Sequence, residues 1–482
     1  MGRPVVCQQR ARLESGDPHR RHNAFGMGVA EKAPRTRHHV NTNSQKYKTM
    51  KRLLIGLFAL TCLTGYSQKA RQEIAVTPAK AGGVYYAYPV TESDNTPAPK
   101  GYTPFYVSHY GRHGSRYLIS DKDYAGVIDV MRKAHEAGSL TPLGEKVYAD
   151  LLRVWEEAEG RGGELTPLGA RQHHDIAQRM YKAYPQAFAK DAEITAASTQ
   201  VMRCAHSMFN FIEGLKELDP SLTIPKESNA RNMSYLCHSE PPSWDFNDNK
   251  GRLQWKPEYN RWRGGKVNPE RLLSSLFNDS RYVKENVFAD ELLWGLYWIA
   301  VDMQNMETEA EFISLFTPDE LYDLWEVINA SFYITNSSYP RSDGLNVDNA
   351  KNLLRNILDT ADSYVDNGRH GATLRFGHDG NIVPLAALMR FTGCHGYSAG
   401  LDDIADVWQS YNISPMASNM QMIFFRNKQG DVIVKFMMNE KETAIDMPSD
   451  IFPFYRWEEV RKYFNETIDT PSIEFCPKEL RQ

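Results

Sequence analysis

The chain has 482 residues, of which 41% are hydrophobic and 24% charged, with a formal net charge of −4. This balance excludes a mostly disordered chain, a collagen-like chain and a multi-span membrane protein, and it leaves room for two or three domains with a sizeable core. Six cysteines are too few for a disulfide scaffold at this length, and no CxxC pair marks a zinc ribbon.

Residues 1–49 are polar, rich in Arg and His, and without apolar periodicity. At Met50 the character changes. Met50-Lys51-Arg52 precede an apolar run from Leu53 to Leu63, broken only by Gly56, Thr61 and Cys62, and Thr64-Gly65-Tyr66-Ser67-Gln68 follows. A basic pair, a short apolar run and small residues at −3 and −1 predict a secretory signal peptide over 50–67, cleaved after Ser67. The run is shorter than the roughly 20 residues a membrane span needs. Such a signal does not work behind 49 polar residues, so translation is expected to start at Met50, with 1–49 a misassigned or disordered leader. Lipidation at Cys62 is disfavoured by Thr61 before it and Leu63 after it.

Residues 1–67 hold 12 Lys and Arg against 3 Asp and Glu, so the remainder keeps 44 basic and 57 acidic residues, a net −13. A surface this acidic argues against nucleic-acid binding. An anionic substrate must instead be captured by a local basic pocket. Cys204, Cys237, Cys394 and Cys476 remain, and export permits disulfides without requiring them.

Residues 70–225 read as the first part of an α/β domain. Thr103–Ser108 is a short buried strand, Asp121–Gly160 holds two amphipathic helices, and Thr166-Pro167 starts a helix reaching about Tyr184. Glu193–Ser198 is a second strand, followed by a helix over Thr199–Leu215. Residues 226–366 shift to Trp-rich loops (Trp244, Trp255, Trp262) and helical patterns at Asn286–Met306, Pro318–Ile334 and Val347–Val365, a mainly helical insertion. Residues 367–482 return to the α/β domain, with a strand at Ala372–Phe376, a helix from Pro384 to Phe391, and a hairpin of Gln421–Phe425 and Val432–Met437. The predicted fold is a three-layer α/β sandwich with a mainly parallel central sheet.

Chemistry-bearing residues cluster just beyond three predicted strands, where ligands bind in open α/β sheets. Arg112-His113-Gly114-Ser115-Arg116 follows the first strand. Two Arg flanking a His repel unless an anion sits between them. Guanidinium forks match phosphate oxygens, and the imidazole could attack phosphorus. Arg203 follows the second strand and His378-Asp379 the third. A second triplet, Arg369-His370-Gly371, precedes a strand and reads as accidental. His173 and His174 point in different directions on one helix, and no other cluster has metal-ligand spacing. The constellation suits phosphoryl transfer without metal or cofactor: His113 as nucleophile, Asp379 as acid, and Arg112, Arg116, Arg203 and His378 on the phosphoryl oxygens. Cys204, His206, His238, His395 and the tryptophans read as packing or structural residues.

On these residues the chain resembles the histidine acid phosphatases, branch 2 of the histidine phosphatase superfamily, from about Thr103 to Glu440. Arg112–Arg116 is similar to that family's RHGxRxP, with Leu118 in place of the proline. Glu164–Gly169 is similar to ELTxxG, Ser198–Arg203 to the segment carrying the third arginine, His378-Asp379 to the HD motif, and Ile413–Ala417 to the segment before the final hairpin. The resemblance implies a phosphohistidine at His113, a pocket of Arg112, Arg116, Arg203 and His378, and Asp379 as general acid. Asn381 fits the HDxN pattern of phytases and glucose-1-phosphatases, a lean toward phytate or sugar phosphates. Lys250, Arg252, Arg261 and Arg263 are candidates for a basic rim. The leading function is an exported, periplasmic or secreted phosphomonoesterase acting on a small-molecule substrate, with no nucleic-acid partner and no stable membrane insertion after signal cleavage. The alternatives are a non-catalytic binder of phosphate or sugar phosphate, which would need neither His113 nor Asp379, and a mutase-like isomerase, which the signal peptide disfavours.

Overall fold

One sheet carries every strand of the described residues, and the order in which the chain adds them decides where its functional ends meet. The computed structural model describes residues 69–90, 95–236 and 255–481. The expected leader and signal peptide, Cys237, His238, Trp244, Lys250 and Arg252 lie outside them. In chain order the strands are β1 (Thr103–Arg112), β2 (Glu193–Ser198), β3 (Lys226–Glu227), β4 (Gly371–Gly377), β5 (Asn419–Arg426), β6 (Val432–Met438), β7 (Lys441–Thr443) and β8 (Phe454–Arg456). Across the sheet they run β3-β2-β4-β1-β5-β6-β7, with β8 paired to β6. The β3-β2-β4-β1 part is parallel, and β5 to β8 extend it antiparallel. β4 slots between β1 and β2, with Gly371 opposite both Tyr106 and Glu193. The carboxyl ends of three adjacent strands therefore share one edge.

Among the described residues, the helices of ten residues or more are α1 (Asp121–Glu136), α2 (Pro142–Ala158), α3 (Pro167–Ala183), α4 (Met202–Leu218), α5 (Lys256–Lys266), α6 (Ala289–Asp302), α7 (Pro318–Asn336), α8 (Lys351–Asp366), α9 (Asp379–Leu388) and α10 (Trp457–Asp469). Their starts follow local chemistry. Thr141 and Thr166 cap α2 and α3 by accepting from Gly144 N and Gly169 N, each with Pro at the first helical position. Strand side chains alternate between faces. Val107, Leu374, Phe376 and Ile423 meet Ile176 and Met180 of α3 and Phe211 and Leu215 of α4 in one apolar core. Tyr106, Tyr110, Met422 and Phe424 meet α1, α2, α6, α7, α8 and α10 in the other. This is the expected three-layer α/β sandwich. The described helices of 226–366 bury their apolar residues in that second core, together with α1 and α2.

Several boundaries differ from expectation; β1 runs past Ser108 to Arg112, because Tyr110 and Gly111 still pair with β4 and β5. The helix expected from Thr199 starts at Met202: Thr199 N still donates to Phe376 O of β4, the chain bends at Gln200 and Val201, and Val201 is the extended N-cap residue. The helix expected from Pro384 starts at Asp379, with Pro384 in its interior. Proline there removes only the bond to the Gly380 carbonyl, and the apolar burial of Ile382, Val383, Leu385 and Ala386 holds the helix through it.

Residues 69–85, for which the sequence reading has no element, cross the second core. Ala70, Ile74 and Ala81 are buried there, Arg71 pairs with Asp319 (2.5 Å) and Asp323 (3.1 Å), and Tyr297 donates to Ala81 O at 2.7 Å. Among the described residues, no helix is long and apolar enough to cross a membrane.

Candidate active site

Where β1 ends, its backbone is fastened on both sides. Arg112 N donates to Ser418 O (2.8 Å), His113 N donates to Gly377 O at the end of β4 (2.9 Å), and Ala417 N donates to His113 O (2.9 Å). The next residues lie directly on the first turn of α3. A Cβ at Gly114 would stand 2.4 Å from Gly169 O, and one at Gly169 would stand 2.1 Å from Ser115 O. Thr166 N then donates to Ser115 O at 2.9 Å. Two stretches 50 residues apart in sequence, Arg-His-Gly-Ser and Leu-Thr-Pro-Leu-Gly, thus need their glycines for one reason: two backbones cross there with no space for a side chain.

Three guanidinium groups near this crossing lie within electrostatic reach of one another. Arg112 is wholly buried; its Nη1 donates to Val84 O (2.5 Å) and Ser414 O (2.7 Å), and its Nη2 lies 3.1 Å from Asp379 Oδ2. Arg116 donates from Nη1 to Tyr117 O (2.8 Å) and from Nη2 to Tyr85 Oη (3.0 Å), with its guanidinium 4.6 Å above the Tyr85 ring. Arg203, from the first turn of α4, makes one long bond to Gly163 O at 3.4 Å. The Nε of each has no hydrogen-bond partner among the described residues. Burial lowers the pKa of Arg112 to about 10, and it lowers that of Arg203 as well. Three cations share this space with one carboxylate, Asp379, so the cage carries a net positive charge that favours an anion.

His113 stands among them. Its Nδ1 is 2.9 Å from Gly114 O, an acceptor only, so Nδ1 carries the proton and Nε2 keeps a lone pair. Burial, then Arg203, Arg112 and Arg116, hold its pKa well below the usual histidine value, so the ring stays neutral. His378 packs edge-on to it, with ring centroids 5.7 Å apart. The His378 Nε2 lies 3.2 Å from Thr199 Oγ1 and 3.5 Å from Cys204 Sγ, and its backbone N donates to Tyr110 Oη at 3.3 Å. Asp379 is the first residue of α9 and its Oδ1 accepts from Gly380 N (2.8 Å). Burial pushes its carboxyl pKa up, but Arg112, His378 and Arg116 outweigh that and leave it below the ordinary value.

Arg112, His113, Arg116, Arg203, His378 and Asp379, the six residues singled out in the sequence, thus come together at one sheet edge. Other members carried no sequence signal. Ser115 Oγ accepts from Gln172 Nε2 (2.9 Å) and donates to Asn305 Oδ1 (2.7 Å). Asn305 Nδ2 in turn bonds Tyr85 O and Asp302 Oδ1, and Tyr124 Oη donates to Asp302 Oδ2 at 2.9 Å. Burial pushes the Asp302 carboxyl up to about 7 although Arg116 opposes this. Cys204, read as packing, also touches the site: its thiol donates to Gly377 O at 3.1 Å.

The second triplet lies at the opposite, amino-terminal end of β4, where Arg369 pairs with Glu193 and His370 bonds Lys190 O. His173 is buried and His174 pairs with Glu217. Of the rim candidates within the described residues, Arg261 is exposed on α5. Arg263 is already engaged by Asp290 (2.9 Å) and stacked on Trp294, which withdraws it from a free rim. Among the described residues no three His, Cys, Asp or Glu side chains could jointly hold a metal ion.

The family model for the histidine phosphatase superfamily (branch 2) matches residues 111–439. The multiple inositol polyphosphate phosphatase of Bifidobacterium longum, solved in complex with phosphate, superposes with a TM-score of 0.69 at 20% identity, covering 84% of this chain and 100% of that one. The same enzyme in complex with inositol hexasulfate gives 0.67 at 20% identity, covering 80% and 97%. The phytase from D. castellii gives 0.63 at 15% identity, covering 83% and 87%. No curated protein matches the sequence.

Proposed function

Since the chain belongs to branch 2 of the histidine phosphatase superfamily and is an enzyme of the histidine acid phosphatase type, we propose that it is an exported phosphomonoesterase working through a phosphohistidine. The observation that carries the mechanism is the neutral His113, its Nε2 lone pair free, among the buried Arg112 and Arg116 and the half-buried Arg203. A phosphate monoester fills the cage, and Arg112, Arg116, Arg203 and His378 hold the phosphoryl oxygens. His113 Nε2 attacks phosphorus, the bond from phosphorus to the ester oxygen breaks, and Asp379 gives that oxygen a proton. Water then attacks the phosphohistidine, Asp379 takes a proton from the water, and the P–N bond breaks to release phosphate. Neither metal nor organic cofactor takes part in this reading.

Asn381 favours phytate or sugar phosphates as the substrate class, and the inositol hexasulfate held by the Bifidobacterium longum enzyme supports the inositol side of that choice. Phosphate release from phytate, glucose-1-phosphate and simple aryl and alkyl phosphates tests the whole reading. His113→Ala should abolish it, along with any trapped phosphoenzyme. Phosphate binding without release from any ester would leave a binding protein instead. Export rests on Met50-Lys51-Arg52 and the apolar run behind it. Mass spectrometry of the exported form should find Gln68 first, and peptides from 1–49 in native material would sink the idea.

A further inference from the structure

The six expected residues all fall within 111–439, the span of the family model, but the cage has a wall from outside it. Pro78–Tyr85 forms a short 3-10 helix whose last two residues reach two of the arginines. Val84 O accepts from Arg112 Nη1 at 2.5 Å, and Tyr85 Oη accepts from Arg116 Nη2 at 3.0 Å. Tyr85 is held at its ring and at its backbone. Arg116 lies over it at 4.6 Å, Trp298 of α6 packs against it with centroids 5.2 Å apart, and Asn305 Nδ2 bonds its carbonyl at 2.9 Å. Its phenol lies within electrostatic reach of Arg112, Arg116 and Arg203 alike.

The Tyr85 hydroxyl stands 3.0 Å from the Arg116 fork, on the side of the cage where a phosphoryl group held by that fork would lie beside it. By accepting from Arg116, the oxygen keeps its own proton available for another acceptor. The site supplies few: Asp379 is engaged by Arg112 and Gly380 N, and Asp302 by Tyr124 and Asn305. We infer that Tyr85 is a further catalytic residue, whose hydroxyl donates to a non-bridging oxygen of the phosphoryl group held by the three arginines. This rests on the proposed phosphatase reading. The bond involves no proton transfer and strengthens as charge builds on the transferring group. It differs in kind from the role of Asp379, which serves the leaving oxygen.

Tyr85→Phe tests this cleanly, since it keeps the ring between Arg116 and Trp298 and removes one oxygen. Its kcat/KM should fall by about 10- to 100-fold, the lower range for loss of one donor among several. The fall should be equal for p-nitrophenyl phosphate and an alkyl phosphate. The rise in Tm that saturating inorganic phosphate gives the parent should shrink in the variant. If Tyr85→Phe retains kcat/KM within twofold and the same phosphate-induced Tm rise, the inference is overturned. Losses confined to the alkyl ester would also overturn it, since they would place Tyr85 at the leaving group. If the parent itself hydrolyses neither ester, the phosphatase reading fails, and the phosphate-induced Tm comparison alone still decides whether Tyr85 addresses the anion.

Discussion

Asp379 is paired with Arg112 and held below the ordinary carboxylate range, yet the proposed chemistry asks it to deliver a proton. The proton must therefore arrive with the substrate, as the monoanion of an ester whose second ionisation lies near pH 6. Phosphoryl oxygens entering the cage compete for Arg112 and add negative charge beside Asp379, which draws that proton onto the carboxyl. His113 stays neutral over the same range. Accordingly kcat/KM should fall as pH rises through the second ionisation of the ester. The basic limb should move when an ester whose second pKa differs by about one unit is used, and identical limbs would contradict the scheme. Asp379→Asn should leave phosphoenzyme formation from p-nitrophenyl phosphate fast while slowing an alkyl phosphate by about 10²–10⁴-fold. Equal losses on both would remove Asp379 from the acid role. At this scale the legible residues were those whose charges crowd in sequence: Arg112, His113 and Arg116 together, His378 beside Asp379. Arg203 was legible only as a cation after a strand. Tyr85 stands in Gly-Gly-Val-Tyr-Tyr-Ala and Asp302 in an apolar helix, and neither neighbourhood marks a contact that the fold makes across more than thirty or almost two hundred residues.

Between β1 and α3 lie two imidazoles that the reaction does not use. His109 and His173 are buried against Phe211 and Phe376, and their ring nitrogens are poorly satisfied, with the Arg112 backbone beside His173 as a weak partner. Burial lowers both pKa values, that of His173 to about 3. Both are neutral in the folded protein, whereas in the unfolded chain they take up protons below about pH 6.5. Stability is therefore complete above pH 6.5 and is lost as pH falls toward 3, by on the order of 5 kcal/mol for His173 alone. His173→Leu should match the parent's Tm at pH 7 within a few degrees and exceed it increasingly as pH drops to 4; a constant difference across that range would dismiss the effect. Elements with a strong pattern were readable in advance: the three site strands, the hairpin, and the Thr-Pro starts of α2 and α3. The start of α9 was not, because an interior proline that costs one hydrogen bond is outweighed by four buried apolar side chains that only the folded sheet provides.

Across the whole molecule, the segment at 69–85 ties the helical layer to the catalytic edge, and Gly83 is its tightest point. Its φ of +56° lies in the left-handed region, and a Cβ there would meet Ser410 Oγ at 2.9 Å and Trp325 at 3.4 Å. Gly83→Ala should destabilise the protein by roughly 2 kcal/mol. It should lower kcat/KM too, because Val84 and Tyr85 follow directly; an unchanged denaturation midpoint with full activity would show the segment to be slack. The acidic balance and the α/β class were visible in composition and strand order. That a stretch with no recognisable pattern would line the pocket was not, since its packing is tertiary throughout. The place of β4 between β1 and β2 has one more effect, and it concerns time. β1 pairs only with β4 and β5, both beyond residue 370, so the strand that presents Arg112 has no neighbour to zip onto until three quarters of the chain exist. Pairings over such separations form slowly. During synthesis the nascent chain stays without a working pocket until its last quarter emerges, a delay that suits a polypeptide meant, on the export reading, to thread through a membrane before it folds.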